Sequence, residues 1–138
     1  MYDGGVRVPF MLRWPAMVKP GVSDAFVCQM DLLASFAGLL GQTYPDKLDS
    51  RNTLKAFLGK SKKGREELVI EGMFNYAYRK GDWALIPPYR KQTEYQLYNL
   101  KEDIGQKHNL ADKYPKKVKE LTDEFEALKL STGKKTRF

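Results

Sequence analysis

The sequence predicts a protein of the α/β class, or α+β if its 138 residues are taken as a fragment. Three observations support this prediction: an apolar run behind two glycines near the start, a leucine-rich helical pattern after it, and short alternating segments followed by an amphipathic helix in the second half. The change of pattern places an internal boundary near residue 60. We therefore expect a strand-and-helix segment at 1–60 and a small four-stranded antiparallel sheet packed on a helix at 61–138.

The first element is an apolar segment that follows two glycines and is ended by Pro15. Every second side chain from Val6 to Trp14 is apolar, so one face of an extended chain would be continuous and apolar. This pattern predicts a buried strand over residues 6–14. Pro9 cannot donate a hydrogen bond to a sheet, so we expect a bulge, a gap or a sheet edge at that position.

A helix is predicted next, beginning at Asp31 and ending before Gly41. Asp31 suits the N-cap position, and Gly41 suits the C-terminal stop. The helix carries one broad apolar face, formed by Leu32, Leu33, Phe36, Leu39 and Leu40. A shorter apolar helical turn is expected at residues 54–58, with Gly59 as its end.

From Glu67 onward the pattern changes to three or four short antiparallel strands, with a tight turn at Gly81. A final helix is predicted to begin near Pro115, a residue favoured in the first turn. Its apolar stripe consists of Val118, Leu121, Phe125 and Leu128. A sheet this small needs a cover, so we expect the stripe to pack on it. The tail from Ser131 is expected to be frayed.

The net charge of +7 is concentrated in the second half, where residues 51–138 hold 20 Lys and Arg against 12 Asp and Glu. A basic half is typical either of a lysine-rich solvated surface or of a protein that binds a polyanion such as a nucleic acid, a membrane surface or a sulfated glycan. Cys28 is the single cysteine, so an intrachain disulfide is excluded. We expect an inert thiol there.

No segment has the roughly 18 apolar residues of a membrane span. Acidic and glycine residues follow Met1, which is unlike a signal peptide. We therefore expect either that such a peptide was removed or that the chain begins inside a longer protein. No compartment is predicted for this chain; a periplasmic or extracellular parent is one alternative.

Several motifs resemble the type I sulfatases, the arylsulfatase-like branch of the alkaline-phosphatase superfamily. The segment DGGVRVPFMLRWP is similar to their EGG-[VI]-R-[VI]-P-F segment, with Asp3 in place of the usual Glu. RKGDWALI resembles R-x-G-[DN]-W-K-L-I. EYQLYNLKEDIGQKHNLA resembles xxELYDLxxDPxExxNLA, with Ile104 in place of Pro and Gln106 in place of Glu. The matches follow one another in order over nearly the whole chain.

The resemblance implies that residues 1–60 are the C-terminal end of a large alkaline-phosphatase-like α/β/α domain and that residues 61–138 are the C-terminal subdomain. It implies a parent enzyme that hydrolyses aryl or glycan sulfates with Ca²⁺ and a formylglycine made in a C/S-x-P-x-R motif. Cys28 lies in VCQMD, outside such a motif. We therefore expect no catalytic residue, metal ligand or cofactor in this chain, and no activity of the chain by itself.

Four residues are candidates for substrate binding: Arg7, Asn75, Tyr76 and Arg79. Arg7 follows the glycine turn beside the family's active site, and the other three lie, with Phe74, in a loop region that in sulfatases can border the substrate cleft. Arginine pairs with sulfate or carboxylate groups, and aromatic rings stack on sugars. The alternatives are a structural ion pair for Arg7 and ordinary sheet positions for the rest. For His108 the two alternatives are a general acid or base role and an ordinary surface position.

The expected partners are the missing N-terminal sulfatase domain and, in the parent, a sulfated small molecule or glycan. No nucleic acid and no membrane span are expected. Apolar faces that the missing domain leaves exposed could also join copies of the chain into a homo-oligomer. The alternative function is a stand-alone basic module that binds a polyanion, either a sulfated glycan or a nucleic acid.

Overall fold

The computed structural model describes residues 2–45, 49–73, 75–90 and 92–131, and of Ser131 only the backbone. The chain divides into two compact units. The first unit is residues 9–66, and the second unit is residues 1–8 together with 67–138. Residues 1–8 thus group with the C-terminal part of the chain. The assignment of residues 1–60 to the end of a larger domain stays a prediction.

The first unit contains two helices, α1 (Asp31–Leu39) and α2 (Leu54–Phe57). Each helix is followed by a glycine in the left-handed conformation, Gly41 with φ of 65° and Gly59 with φ of 67°. After α1 the backbone N–H of Gln42 donates to the carbonyl of Ala37 at 2.8 Å, which satisfies one of the last helical carbonyls. Both helix ends are therefore where the glycines predicted them.

The strand predicted over residues 6–14 is wrong for this chain, because residues 7–14 form no strand. A strand needs a neighbouring backbone for its N–H and C=O groups, and the described part of the chain pairs none with this segment. The side chains of the predicted apolar face are partly exposed, from 37% for Trp14 to 65% for Val8. The sequence pattern was that of a buried segment, but no strand in the described part of the chain pairs with it.

Asp31 is not the N-cap that the sequence predicts, because Met30 occupies that position and makes no side-chain cap. The Asp31 side chain is fully buried, and its Oδ1 accepts hydrogen bonds from the guanidinium of Arg65 and from the backbone N–H of Arg51 at 2.8 Å. Both donors hold the carboxylate away from the N–H groups of its own helix. Helix α1 is thereby tied to the chain that follows it.

Helix α1 buries its small and polar side, not its leucine side. Ser50 Oγ accepts from the N–H of Ala34, and Ser35 Oγ accepts from the N–H of Thr53, both at 3.0 Å. On the predicted apolar face, Phe36 is 53% exposed and Leu40 is 70% exposed. The face therefore exists as predicted but is left open by this chain.

The second unit is built on a four-stranded antiparallel sheet with the strand order β1-β2-β3-β4. The strands are β1 (Glu67–Glu71), β2 (Tyr76–Lys80), β3 (Trp83–Ile86) and β4 (Gln96–Asn99). Gly81, with φ of 55°, turns the chain between β2 and β3 in a conformation that favours glycine. Successive strands are neighbours, as the sequence predicts for short segments with tight connections.

Helix α3 (Pro115–Ser131) packs on this sheet through Leu121 and Phe125, which are fully buried. They join one core with the side chains of one sheet face, namely Tyr76, Tyr78, Leu85 and Leu97. The opposite sheet face carries a second cluster of Ala77, Ala84, Ile86, Tyr98 and Leu100. The predicted stripe of α3 is confirmed. Ser131 is the last residue of α3, and the rest of the tail predicted to be frayed lies outside the described residues.

No helix in the described part of the chain is both long and apolar enough to cross a membrane.

Candidate functional site

The start of the second unit is organised around Asp3, which opens a short 3-10 turn over Asp3–Gly5. Its backbone carbonyl accepts hydrogen bonds from the N–H groups of Val6 at 3.1 Å and Arg7 at 2.9 Å. Its carboxylate is 8% exposed. A carboxylate buried to this degree needs a positively charged partner to offset the loss of water.

Two arginines supply that charge, and both were predicted from the sequence as site residues. Nη1 of Arg79 lies 3.1 Å from Oδ1 of Asp3, and Nε of Arg7 lies 3.7 Å from Oδ2. Nε of Arg79 also donates to the carbonyl of Gly81 at 3.3 Å. The structure therefore brings Arg7 and Arg79 together at one carboxylate.

Gln106 completes this group and was not identified as a site residue from the sequence. Its Oε1 accepts a hydrogen bond of 2.6 Å from the backbone N–H of Asp3. Gln106 is buried and has a φ of 50°, which is uncommon for a residue with a side chain. The available signal was that positions 3 and 106 both depart from the family's usual Glu. Asp3, Arg7, Arg79 and Gln106 are called the Asp3 cluster below.

An aromatic contact fastens the same segment to β4. The rings of Tyr2 and Tyr98 meet edge to face with their centroids 6.0 Å apart. Burial and a hydrogen bond with Tyr2 raise the pKa of Tyr98 to about 12. Residues 2–7 are therefore held by a ring contact, an ion pair and a backbone hydrogen bond.

The Asp3 cluster carries two guanidinium groups and one carboxylate, so it has an excess positive charge. Arg79 is 23% exposed, whereas Arg7 is 49% exposed and can still reach a ligand. A half-exposed guanidinium can bind a sulfate or carboxylate with two parallel hydrogen bonds. The arrangement can hold an anion, but it contains no nucleophile to attack an ester.

The structure places the other two predicted site residues in different surroundings. Asn75 lies in the β1–β2 turn, where its carbonyl accepts from the N–H of Gly72 at 2.9 Å. Tyr76 lies in the core, and its hydroxyl donates to Glu71 at 3.1 Å. A substrate-binding role for these residues stays a prediction. Phe74, named beside them, lies outside the described residues.

A small cleft of about 120 Å³ opens beside Tyr76 and Tyr89, between the Pro87–Pro88 segment and α3. On the α3 side, the Nζ of Lys129 lies 5.3 Å from the centre of the Tyr76 ring and 3.4 Å from a carboxylate oxygen of Glu126. The ammonium group therefore already has an aromatic face and a carboxylate as neighbours.

His108 lies on the surface, with its side chain 80% exposed. The backbone N–H groups of His108 and Lys107 both donate to Oδ2 of Asp103 at 2.8 Å, and they lower the pKa of that carboxyl. Its position in this capped surface turn supports the surface alternative.

Residues 1–131 match the protein family described as N-sulphoglucosamine sulphohydrolase, C-terminal. The chain is 38% identical over 144 residues to an N-acetylgalactosamine-6-O-sulfatase of Bacteroides thetaiotaomicron, a match that covers 93% of this chain and 28% of that protein. It is 27% identical over 158 residues to arylsulfatase A of Bos taurus, covering 94% of this chain and 31% of that protein. The chain thus spans about a third or less of the length of these relatives.

Solved structures agree with these matches. One, from work on glycosaminoglycan metabolism by Bacteroides thetaiotaomicron, superposes with a TM-score of 0.75 at 35% identity, covering 86% of this chain and 28% of that one. Another, a complex with its substrate D-glucosamine-2-N,6-O-disulfate, gives a TM-score of 0.67 at 25% identity over 90% of this chain and 28% of that one. The family and the fold class predicted from the sequence are confirmed.

Proposed function

This chain belongs to the family of sulfatase C-terminal domains described as N-sulphoglucosamine sulphohydrolase, C-terminal, and on that premise we propose that it completes an enzyme hydrolysing sulfate esters. The observation that carries the proposal is the match over residues 1–131 to a region that makes up only 28% of a related sulfatase. The reacting groups would then lie in the remaining part of the parent enzyme.

A sulfated amino sugar within a glycan is the substrate class that we propose for the parent. The related enzyme named above is an N-acetylgalactosamine-6-O-sulfatase, and the solved complex holds a disulfated glucosamine. Aryl sulfates are the alternative, supported by the match to arylsulfatase A. Both classes carry a sulfate group, which is a kind of anion that a half-exposed arginine binds.

The Ca²⁺ and formylglycine expected in the parent do not fit the residues of this chain. In the described ranges no three His, Cys, Asp or Glu side chains are grouped so as to hold a metal ion. The Asp3 carboxylate is paired with two arginines, and Cys28 lies between Val27 and Gln29 without the proline and arginine of the formylglycine motif. We therefore assign this chain no step that uses either group.

The role proposed for this chain is to hold Arg7 toward the substrate. The Asp3 turn fixes the backbone of Arg7, and Arg79 with Gln106 fixes Asp3. The guanidinium of Arg7 would then bind a sulfate or carboxylate of the substrate without first having to be ordered. Less side-chain entropy is lost when such a group binds.

The apolar surface of the first unit is proposed to pack on the rest of the parent enzyme. It includes side chains of the segment that failed to form a strand and the leucine side of α1, namely Phe10, Met11, Leu33, Phe36 and Leu40. Monomeric proteins seldom leave so many large apolar side chains open to water. A larger domain with a matching apolar surface would bury them, and a second copy of this chain is the competing occupant.

A chimera tests this function. The C-terminal region of the Bacteroides N-acetylgalactosamine-6-O-sulfatase is replaced by this chain, and sulfate release is measured with N-acetylgalactosamine 6-sulfate, glucosamine 6-sulfate and an aryl sulfate. We expect turnover of at least one ester by the chimera and none by the relative without any C-terminal region. A chimera that folds, judged by near-UV circular dichroism, but hydrolyses none of the three esters would contradict the proposal.

A further inference from the structure

Four lysines of the first unit form an exposed positive surface that the proposed hydrolytic role does not use. Three lie in the connection after α2, at Lys60, Lys62 and Lys63, and Lys55 lies on α2. Within the described residues none of the four has an acidic partner within ion-pair distance. These four residues are called the basic loop.

The connection that carries Lys60, Lys62 and Lys63 is fixed where it leaves α2. Gly59 adopts a φ of 67°, and the N–H of Lys60 donates to the carbonyl of Lys55 at 2.8 Å. This backbone bond brings the first loop lysine back beside the lysine of the helix. Ser61 then holds the turn, since its Oγ accepts from the N–H of Lys63 at 2.9 Å.

The other end of the loop is fixed more firmly. The backbone N–H of Arg65 donates to the carbonyl of Phe26 at 2.6 Å. A Cβ added to Gly64 would lie only 2.0 Å from the same oxygen, so the two segments approach as closely as only glycine permits. The guanidinium of Arg65 is buried on the Asp31 carboxylate. The lysines between these two anchors are thus carried on a backbone with few alternative conformations.

The excess positive charge of the first unit equals the four charges of the basic loop, because its other basic residues are balanced by acidic ones. Residues 9–66 contain nine Lys and Arg against five Asp and Glu. Burying four ammonium groups against an apolar partner would remove their hydration without a compensating charge, so these lysines are suited to water or to an anionic partner. An extended polyanion is the partner that can pair with several lysines at once.

We propose that the basic loop binds sulfate groups of a glycan chain at a position apart from the ester that is hydrolysed. Lysine is a compact, mobile point charge, which suits contact with repeated sulfates on a flexible chain. The choice of a sulfated glycan among polyanions rests on the proposed function. The positive surface itself does not, because it follows from exposure, anchoring and charge.

The test measures binding of a chondroitin 6-sulfate oligosaccharide to the full 138-residue chain by fluorescence anisotropy at several salt concentrations. One variant carries Lys55→Gln, Lys60→Gln, Lys62→Gln and Lys63→Gln. The control carries Lys101→Gln, Lys107→Gln, Lys113→Gln and Lys116→Gln, four exposed lysines of the second unit, so both variants lose the same charge. Melting curves establish that both variants remain folded.

We expect the basic-loop variant to lose at least about tenfold in affinity and its salt dependence to fall by roughly two to four counterions, whereas the control changes by less than about threefold. Equal weakening in both variants would overturn the proposal, because only net charge would then matter. No binding by the unaltered chain at low salt would overturn it as well.

Two further ligands and the chimera separate the remaining explanations. Hyaluronan carries carboxylates but no sulfates, and we expect it to bind more weakly; equal or tighter binding of hyaluronan or of duplex DNA would overturn the choice of a sulfated glycan. In the chimera, the basic-loop variant should hydrolyse a monosaccharide sulfate normally but lose apparent affinity for a longer sulfated chain. If the chimera is inactive but the basic loop still binds the sulfated oligosaccharide, the proposed function is refuted and the anion-binding role of the basic loop is supported.

Discussion

The guanidinium of Arg79 lies 3.1 Å from the carboxylate of Asp3, although 76 positions separate the two residues in the chain. The pair links the first turn of the protein to the second strand of the small sheet. The Asp3 carboxylate also forms an ion pair with Arg7. The same carboxylate therefore holds the side chain that we propose contacts the substrate. The Asp3 cluster thus joins the first turn to the sheet and also positions the arginine of a candidate anion site.

Replacing Arg79 with alanine should loosen the start of the chain. The buried Asp3 carboxylate would keep only the longer contact with half-exposed Arg7, and we expect the free energy of unfolding to fall by about 1–3 kcal/mol. Hydrogen exchange at the N–H groups of Val6 and Arg7 should speed up. Lys101→Ala is the control, since Lys101 is an exposed basic residue of the same unit. Unchanged exchange in Arg79→Ala would show that the pair does not hold the turn.

Substitutions of Gln106 test whether its hydrogen bond with the backbone of Asp3 stabilises the fold. Gln106→Ala removes the oxygen that accepts from the N–H of Asp3, and a buried donor left without a partner should cost about 1–3 kcal/mol in unfolding free energy. Gln106→Glu keeps an acceptor oxygen and should remain closer to the unaltered chain at neutral pH. Denaturant titrations of the three proteins decide the matter. If the alanine variant equals the glutamate variant, the hydrogen bond contributes nothing.

A charge placed in the core of the second unit should prevent that unit from folding. Leu121 is fully buried under the sheet, so Leu121→Asp would bury an unpaired carboxylate and cost about 4 kcal/mol or more. Leu130→Asp makes the same chemical change on the same helix at a side chain that is 78% exposed. Circular dichroism should show loss of structure in the first variant only. Similar melting curves for the two would contradict the packing of α3.

Tyr78 should make stability depend on alkaline pH. Its hydroxyl donates to Glu67 at 2.7 Å, and burial and then Glu67 raise the pKa of this phenol above its ordinary value of 10.0. Because the pKa is raised in the folded chain, its stabilising effect is complete below pH 10 and declines above it, when the unfolded chain releases the proton first.

The corresponding variant is Tyr78→Phe, which should cost about 1–3 kcal/mol in unfolding free energy at neutral pH because Glu67 loses a donor. Above pH 10 the difference from the unaltered chain should shrink by about 1.4 kcal/mol for each pH unit. Urea unfolding at neutral pH and at two alkaline pH values measures this difference. A constant difference over that range would mean that the phenol titrates alike in both states.

The success of the sequence-based predictions follows from where each element finds its partner. Strands β1 to β4 pair with their neighbours along the chain, and α3 packs on the sheet that they form. Alternation, Gly81 and the stripe around Leu121 were therefore sufficient to predict them. The segment at 6–14 was not predictable in the same way, because its pattern indicates burial, whereas among the described residues no strand pairs with it.

Side-chain partners were the harder part of the prediction. Arg7 and Arg79 could be named as candidates from residue type and motif, yet their common partner Asp3 could not. The contact between Asp3 and Gln106 spans 103 positions, and nothing in local periodicity indicates it. Asp31 likewise had the residue type of a helix cap, but a buried guanidinium from Arg65 competes successfully for its carboxylate.

The central claim is that this chain supports a sulfatase and does not itself hydrolyse sulfate esters. Sulfate release by the purified 138-residue chain, with Ca²⁺ added and with an aryl sulfate and N-acetylgalactosamine 6-sulfate as substrates, tests it most directly. The account predicts no release above the enzyme-free blank, in the same assay that detects turnover by the chimera. Repeated turnover by the chain on its own would contradict it.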